Sequence, residues 1–518
     1  MTEPSAWLAG QHASRRHLGS RELGARLLAF AVPVLIAVEV PGLATIYLAE
    51  LCLIGLLPVL LILRGRMLQT RELAFILALG LLYFAAQVIT DVIRETPFAD
   101  YARGWSRILF LLSCFISTYL LIGHDRARLL CFAFGLAVGA VLYLVLNNPL
   151  AAIGWKFGFA GPTTSLLLIG FALVPVLRSP RSLIAPMIMI ALGVVSAFMD
   201  YRSWGGVLML SAAFLSMPAI LRLFGLRPKL LSYGRMAIIG VLLFATGFGA
   251  IKVYGIAAES GMLGERSRQK YEMQSALGDL GILLGGRSES LVTVQAIQDS
   301  PVIGHGSWAK DRHYAELRQL MLYRLGFVNH FIEPENDLIP THSHLLGSWV
   351  EAGLGGAFFW LGILALIVGA LRRLYASDDP LRPYLVFLMF LFIWDILFSP
   401  FGAQRRLTNG FLMVAMLFAL NASAMNWRRR RSQSAVPFAP GTFAISEAAD
   451  PIARPGFAEA SAQPWPAPAR EAPEDRLEES SVDDMTPADM QDRRPPSDIG
   501  AGGETIRAGF RRLRQRDR

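Results

Sequence analysis

Long apolar blocks recur along most of this chain, and they constrain its fold more than any other feature. The blocks are roughly 17–22 residues long, close to the ~20 residues that a helix needs to cross the ~30 Å hydrocarbon core of a bilayer. Hydrophobic residues make up 53% of the 518 residues, and charged residues make up 17%. A soluble domain with that ratio would expose large apolar patches and aggregate. The sequence therefore predicts an all-α integral membrane protein.

The apolar blocks predict about twelve transmembrane helices. The predicted segments are 25–40, 43–63, 72–90, 106–123, 129–147, 159–177, 182–199, 204–221, 236–254, 345–370, 383–399 and 409–426.

Basic residues recur in every second connection between these segments, as the positive-inside rule requires of cytoplasmic loops. This pattern predicts a multi-pass protein of the bacterial inner membrane with both termini in the cytoplasm. The residues are Arg64, Arg66 and Arg71; Arg126 and Arg128; Arg178 and Arg181; Arg222, Arg227, Lys229 and Arg235; Arg372, Arg373 and Arg382; and Arg428 to Arg431.

One connection is far longer than the others and divides the chain unevenly. Residues 255–341 separate the ninth and tenth segments and are predicted to form a partly helical periplasmic loop, because connections of this length are usually functional or disordered. Its first predicted helix has Leu291, Val294 and Ile297 on one face and stops at Pro301, and its second spans Trp308–Phe327.

The remaining boundaries follow from this plan. Residues 1–24 form a cytoplasmic N-terminus, 25–254 carry helices one to nine, and 342–426 carry helices ten to twelve. Residues 427–518 are rich in Pro, Ala, Ser and charged residues, so they cannot bury enough apolar surface to fold and are predicted to be a disordered cytoplasmic tail. Its last stretch, 504–518, is either a basic amphipathic helix on anionic lipid or a solvated charged segment.

Several functional classes find no support in the sequence. The net charge of +9 lies largely in the short loops, without the basic stripe or motif of a nucleic-acid-binding protein. Cys52, Cys114 and Cys131 lie inside apolar segments and have neither disulfide nor metal-site spacing. We find no phosphate-binding glycine-rich loop, nucleophile motif or ATPase signature, and we expect no cofactor.

Two arginines on the predicted outer side are candidates for binding an anion. Arg202 lies in the tight turn between the seventh and eighth segments, where its alternative role is a snorkelling anchor for two helix ends. Arg287 lies just before the first loop helix, where the helix N-terminus and a two-pronged guanidinium together suit a phosphate or pyrophosphate. Its alternative is an ordinary surface arginine.

His342 and Glu351 are the candidates for proton transfer. His342 lies where the loop re-enters the membrane, and imidazole is the usual side chain for proton transfer near neutral pH. Glu351 lies nine residues later near the outer mouth of the tenth segment, where an ionisable group is costly and usually has a function or a partner. The alternatives are a structural histidine and a metal site built from His342 and His344 with His305, His313 or His330.

These residues stand in motifs that resemble those of the O-antigen ligase and polymerase superfamily. Arg287, the helix after it, and the turn Pro301-Val-Ile-Gly304-His305-Gly306 are similar to the signature of that family's outer loop. His342 followed by Glu351-Ala-Gly353-Leu-Gly355-Gly356 resembles its second motif, although Ser343 stands where the family usually has Asn. Tyr201-Arg202-Ser203 is similar to the family's short outer turn.

The resemblance implies transfer of a glycan from undecaprenyl pyrophosphate to an acceptor hydroxyl on the periplasmic face. Arg202 and Arg287 would bind the pyrophosphate, His342 would act as base, Glu351 would orient or tune it, and Gly304 and Gly306 would form the loop turn. No metal or nucleotide is implied, since the activated lipid carries the driving force.

Three alternatives stay open at this point. The acceptor is lipid A–core if the protein is a ligase, and another lipid-linked repeat if it is a polymerase of the same superfamily. A secondary transporter would explain Glu50 and Asp395 inside apolar segments, but such transporters tend to have two related halves. A sensor or scaffold would use the tail.

Overall fold

The computed structural model describes residues 20–40, 45–147, 154–174, 182–225, 232–262, 289–324, 337–375 and 377–434, with 268, 271 and 272. Several predicted features therefore fall outside the described residues: the first nineteen residues, Arg287, His330, the basic residues Arg178, Arg181, Arg227 and Lys229, and the predicted tail from residue 435 onwards. The tail was predicted to be disordered from residue 427, and this start is wrong, because residues 427–434 continue the last helix.

The described residues are almost entirely helical, and they contain fourteen α-helices. They are α1 (Ser20–Val34), α2 (Leu48–Arg64), α3 (Arg71–Ile93), α4 (Phe98–Ile122), α5 (Arg126–Asn147), α6 (Ala160–Leu173), α7 (Ile184–Phe198), α8 (Arg202–Leu223), α9 (Tyr233–Glu259), α10 (Glu289–Asp299), α11 (Arg312–Arg324), α12 (His344–Tyr375), α13 (Arg382–Phe398) and α14 (Gln404–Ser434).

Seven of the helical segments in the described part of the chain are long and apolar enough to cross a membrane. This finding supports an all-α membrane protein. Each of the twelve predicted segments coincides with one of the helices α1 to α9 or α12 to α14. That all twelve cross the bilayer stays a prediction. The seven are Leu48–Leu68, Arg71–Ile93, Phe98–Ile122, Arg126–Asn147, Trp155–Leu173, Arg202–Leu223 and His344–Tyr375.

The structure corrects several of the predicted boundaries, among them the start of α4, which lies at Phe98 rather than at 106. The gap between the first two segments is longer than predicted, because α1 and a short 3-10 turn are followed by two antiparallel strands, β1 (Glu39–Val40) and β2 (Ile46–Tyr47). The last helix begins at Gln404 rather than at 409. Hydropathy excludes Arg405 and Arg406 from an apolar segment because they are charged, although both are helical and have carboxylate partners.

Helices α12, α13 and α14 form the centre of the bundle together with α3 and α4. Large aromatic side chains fill it, and Trp360 on α12, Phe387 on α13 and Phe411 on α14 are less than 2% exposed. Side chains of this size contribute more buried area than any others. The tenth predicted segment is therefore a central helix that other helices surround.

Basic side chains at one end of the bundle bind the carbonyl groups where helices finish. Arg64 donates to the carbonyl oxygens of Leu120 (2.9 Å) and Leu121 (3.1 Å), which end α4. Arg382 donates to the carbonyl oxygen of Leu374 near the end of α12 (2.8 Å). Such contacts satisfy carbonyls that lack partners in the helix and place positive charge at the negative end of its dipole. The predicted orienting charges thus also cap helices.

The two described loop helices pack on each other and on α12. Val292, Ala296 and Ile297 on α10 share a small apolar cluster with Tyr314 on α11 and Val350 on α12. The predicted face of α10 is therefore only partly right. Val294, which was expected to lie in that face, is 45% exposed.

The start of α11 is also four residues later than predicted. Trp308 has a positive φ of 55° and precedes the helix. Residues 308–311 are not helical, and they directly follow the turn at residues 300–307, which is hydrogen-bonded to the bundle. We call the end of the bundle that carries this turn the loop end: here α3 and α13 finish and α4, α12 and α14 begin.

Candidate functional site

The turn after α10, residues 300–307, is held by polar side chains at the end of α3. Arg94 donates to the carbonyl oxygen of Gly304 (3.0 Å) and to the Ser300 hydroxyl (2.7 Å). Asp91 accepts from both the backbone N–H and the hydroxyl of Ser307, each at 2.6 Å. Asp91 is only 3% exposed, so these bonds supply the partners that a buried carboxylate needs.

The same turn enters a kink in α12 where the helical hydrogen bonds are interrupted. Gly353 has φ 58° and ψ −146°, a conformation that residues with a Cβ rarely adopt. The turn replaces the missing helical partners: the N–H of His305 donates to Val350 (2.7 Å) and that of Gly306 donates to Glu351 (3.0 Å). The N–H of Leu354 donates back to the turn, to the carbonyl oxygen of Val302 (3.1 Å).

Glycine is required on both sides of this contact. A Cβ on Gly304 would lie 2.7 Å from the backbone nitrogen of Gly353, and one on Gly353 would lie 1.9 Å from the carbonyl oxygen of Val302. Gly304 and Gly306 also have positive φ angles of 87° and 93°. One backbone-to-backbone contact therefore explains Gly304 and Gly353, whereas Gly355 and Gly356 lie against Ala86 and Ser348.

Glu351, beside the kink, forms a buried ion pair with Arg107 on α4. Their side chains are 14% and 10% exposed. The guanidinium also lies over the rings of Trp308 (5.5 Å) and Phe401 (5.2 Å). The structure thus assigns the Glu351 carboxylate to Arg107, and its predicted effect on His342 stays a prediction.

His342 is half-buried and lies two residues before α12. Ser343 next to it accepts the N–H of Leu346 (3.1 Å) and donates to the carbonyl oxygen of Ile396 (2.9 Å). This serine therefore caps the start of α12 and ties it to α13, as an asparagine could. The departure from the family motif keeps a hydrogen-bonding side chain at this position.

His344 differs from His342 in being fully buried. Its Nδ1 lies 2.6 Å from the carbonyl oxygen of Ser399, and its ring packs on Trp360 and Phe401. Nδ1 donates in this contact because a carbonyl oxygen can only accept. The ring therefore joins α12 to the connection between α13 and α14. Among the described residues, no group of three or more His, Cys, Asp or Glu side chains could hold a metal ion.

Arg202 begins α8 after a turn in which Asp200 has a positive φ of 57°. The guanidinium lies 3.6 Å from the Asp200 carboxylate and the side chain is 29% exposed. Tyr201 beside it stacks on Trp204 at 5.5 Å, and burial raises the pKa of the Tyr201 hydroxyl.

Arg405 lies in the first turn of α14, at the loop end, where it binds Asp395. It acts electrostatically on Tyr201, next to Arg202, and on His344, two residues from His342. Neither Arg405 nor Arg107 was predicted as a site residue. Arg107 is a single cation at the start of an apolar segment, and that position was a usable signal.

Comparison of the sequence with known proteins gives no match to a family model and no match to a curated protein. The family resemblance therefore rests on the motifs themselves. The structure brings together Gly304, Gly306 and Glu351, with His342 at the start of the same helix.

Proposed function

We propose that this protein is a membrane glycosyltransferase of the O-antigen ligase type. It would transfer a glycan from undecaprenyl pyrophosphate to an acceptor hydroxyl at the periplasmic face. The contact between the loop turn and the kink of α12 supports this proposal most directly. Two motifs about fifty residues apart, each similar to a motif of one family, meet through backbone hydrogen bonds from His305 to Val350 and from Gly306 to Glu351.

The chemistry requires a base and a site for negative charge. The acceptor oxygen bonds to the anomeric carbon of the donor sugar while the bond from that carbon to the phosphate oxygen breaks. The electron pair leaves with undecaprenyl pyrophosphate, and the hydroxyl proton passes to His342 as base. Since a sugar hydroxyl is a poor nucleophile, a half-buried imidazole at the loop end suits this role.

The leaving pyrophosphate gains negative charge, which fixed cations stabilise in the transition state. Arg202 and Arg287 are the proposed cations. An ammonium cannot reproduce the two-pronged contact of a guanidinium with phosphate. Arg202→Lys and Arg287→Lys should therefore impair transfer severely, whereas lysine would serve well at a position that only anchors a helix end.

The experiment that tests the proposal is transfer by the purified full-length protein in proteoliposomes with a lipid-linked donor. Two acceptors are compared in parallel: lipid A–core and a second lipid-linked repeat. Product on lipid A–core supports a ligase, and lengthened lipid-linked glycan supports the polymerase alternative. Movement of the donor glycan across the membrane without a new glycosidic bond would overturn the proposal and favour a transporter.

Sidedness is part of the proposal, because the donor is presented outside the cytoplasm. Reporter fusions at Ser288 and Trp308 should lie in the periplasm, and fusions at Arg178, Arg227 and Ser434 in the cytoplasm. A cytoplasmic position for residues 255–341 would contradict both the topology and the reaction.

A further inference from the structure

We propose that Arg405 is a further residue that binds the pyrophosphate of a polyprenyl-linked donor. The inference rests on the proposed function, and it assigns a role to a residue that none of the sequence motifs includes. Three observations carry it: the electrostatic cost of the position, the donors that remain on the guanidinium, and the groups around it.

The position of Arg405 is unfavourable for a cation taken by itself. Arg405 and Arg406 both lie in the first turn of α14, at the positive end of the helix dipole. Asp395, which is 2% exposed on α13, binds Arg405, and the Ser399 hydroxyl donates to the other carboxylate oxygen at 2.9 Å. A buried carboxylate and its hydrogen-bond donor thus hold an arginine where the helix alone would disfavour it.

The neighbouring Arg406 shows what a purely structural arginine looks like here. It is 4% exposed on its side chain, donates to both oxygens of Glu50 at 2.7 Å, and donates to the carbonyl oxygen of Thr45 at 2.6 Å. Three of its five N–H donors are used within the protein. Arg405 by contrast is 37% exposed on its side chain.

Only one of the Arg405 nitrogens has a partner in the described part of the chain, Nη1 on Asp395. A guanidinium has five N–H donors in a rigid fork, so Asp395 holds one nitrogen and leaves the others available to a further acceptor. This is the arrangement that a phosphate-binding arginine needs, since the held nitrogen fixes the direction of the others.

The surroundings match the proposed reaction. Arg405 acts electrostatically on Tyr201, the neighbour of Arg202, and on His344, two residues from the proposed base His342. Arg405 would therefore add a cation that acts on both the Arg202 turn and the start of α12. A pyrophosphate that gains charge as it leaves is an anion that such a cation would stabilise.

Binding of farnesyl diphosphate to the full-length protein in nanodiscs tests the inference without requiring transfer. Arg405→Ala alone would leave Asp395 buried without a partner and could unfold the protein. The decisive variant is therefore Asp395→Asn/Arg405→Ala, compared with Asp395→Asn alone. The matched control is Asp100→Asn/Arg103→Ala, because Arg103 is also a half-exposed arginine (38%) beside a buried aspartate at the loop end.

If Arg405 contacts the diphosphate, the Asp395→Asn/Arg405→Ala variant raises the Kd roughly 10–100-fold, the range for hydrogen bonds to a charged group. Asp395→Asn alone raises the Kd less than the double variant, because the amide oxygen still accepts from Arg405, and the Arg103 control stays within about threefold of wild type. Equal affinity of the Asp395→Asn and Asp395→Asn/Arg405→Ala proteins would overturn the inference, since Arg405 would then only neutralise Asp395.

A different pattern would overturn the proposed function instead. Wild-type protein that binds farnesyl diphosphate no better than farnesol does not recognise the pyrophosphate at all. If the double variant fails to fold, Arg405→Gln takes its place, because the amide still donates to Asp395 but cannot provide the charged fork. Unchanged affinity in that variant would equally refute a role for Arg405 in binding.

Discussion

Gly353→Ala is the substitution whose effect follows most directly from the geometry. The new Cβ would lie 1.9 Å from the carbonyl oxygen of Val302, and that atom is backbone, so it cannot rotate away. The residue would also have to keep φ 58° and ψ −146°, a region that is almost exclusive to glycine. The turn must therefore leave the kink of α12, or the kink must straighten.

The free-energy cost of the substitution has two contributions, backbone strain and a lost hydrogen bond. An unfavourable backbone conformation of this kind costs about 1–3 kcal/mol. Moving Val302 away also breaks its hydrogen bond from the N–H of Leu354, which contributes about 1 kcal/mol. We expect Gly353→Ala to weaken docking of the loop turn by about 2–4 kcal/mol, the sum of the two terms. A change of this size shifts the docking equilibrium by roughly 30–1,000-fold.

Proteolysis of the loop in detergent-solubilised protein, together with glycan transfer, measures this effect. Cleavage near residues 300–307 should become much faster and transfer should fall. Gly206→Ala is the matched control, since a Cβ there meets nothing within 4 Å and alanine is favoured over glycine inside α8. If Gly353→Ala matched Gly206→Ala in both measurements, the backbone contact would not hold the loop in place.

Three further predictions concern the proposed base, the ion pair of Glu351 and the pH dependence of α10. His342→Ala should lower transfer by ~10²–10⁴-fold at unchanged membrane level, and a silent variant would exclude it as base. Arg107→Met and Glu351→Gln should each lower the free energy of unfolding by about 3–5 kcal/mol, because each leaves a buried charge without its partner. The double variant should recover part of this loss. The hydrogen bond from Tyr314 lowers the pKa of Asp299, so its stabilisation is present above the ordinary pKa of about 4 and is lost as pH falls through the lowered value. Hydrogen exchange in α10, corrected for intrinsic rates, should rise on acidification, and this rise should be absent from Tyr314→Phe.

The helices were predictable because burial in lipid makes hydropathy a direct signal. Every predicted apolar segment coincides with a helix. Their ends were less accurate where side-chain pairing overrides hydropathy, as at Arg405 and Arg406. The strands β1 and β2 gave no such signal, since two residues in each strand are too few to show an alternating pattern.

The packed face of α10 shows a second limit of prediction from sequence. Spacing alone selected Val294 with Ile297, but the apolar side chains that pack are Val292, Ala296 and Ile297. A short helix with several apolar residues has more than one possible face. The choice is made by the surface it meets, here Tyr314 on α11 and Val350 on α12, which sequence spacing does not show.

The motif residues of the candidate site could be singled out from the sequence, but the residues that they contact could not. Gly304 and Glu351 could be singled out from the pattern of the motifs, and the structure explains Gly304 by its close contact with α12 and Glu351 by its ion pair with Arg107. Arg107 could not be assigned to Glu351 because their pairing depends on how α4 packs beside α12. Long-range ion pairs of this kind depend on tertiary packing, and a single sequence gives no measure of it.

The two carboxylates that favoured a transporter have a different explanation in the structure. Glu50 accepts from Arg406 on both oxygens and from the N–H of Tyr47 (3.0 Å), so its hydrogen-bonding capacity is used in joining α2 to α14. Asp395 binds Arg405, which directly precedes Arg406 in the chain. Arg405 and Arg406 both lie in the first turn of α14, and each needs an anionic partner there. The acidic residues inside apolar segments supply these partners. Their presence is therefore explained by the start of α14, and neither carboxylate requires a transported ion.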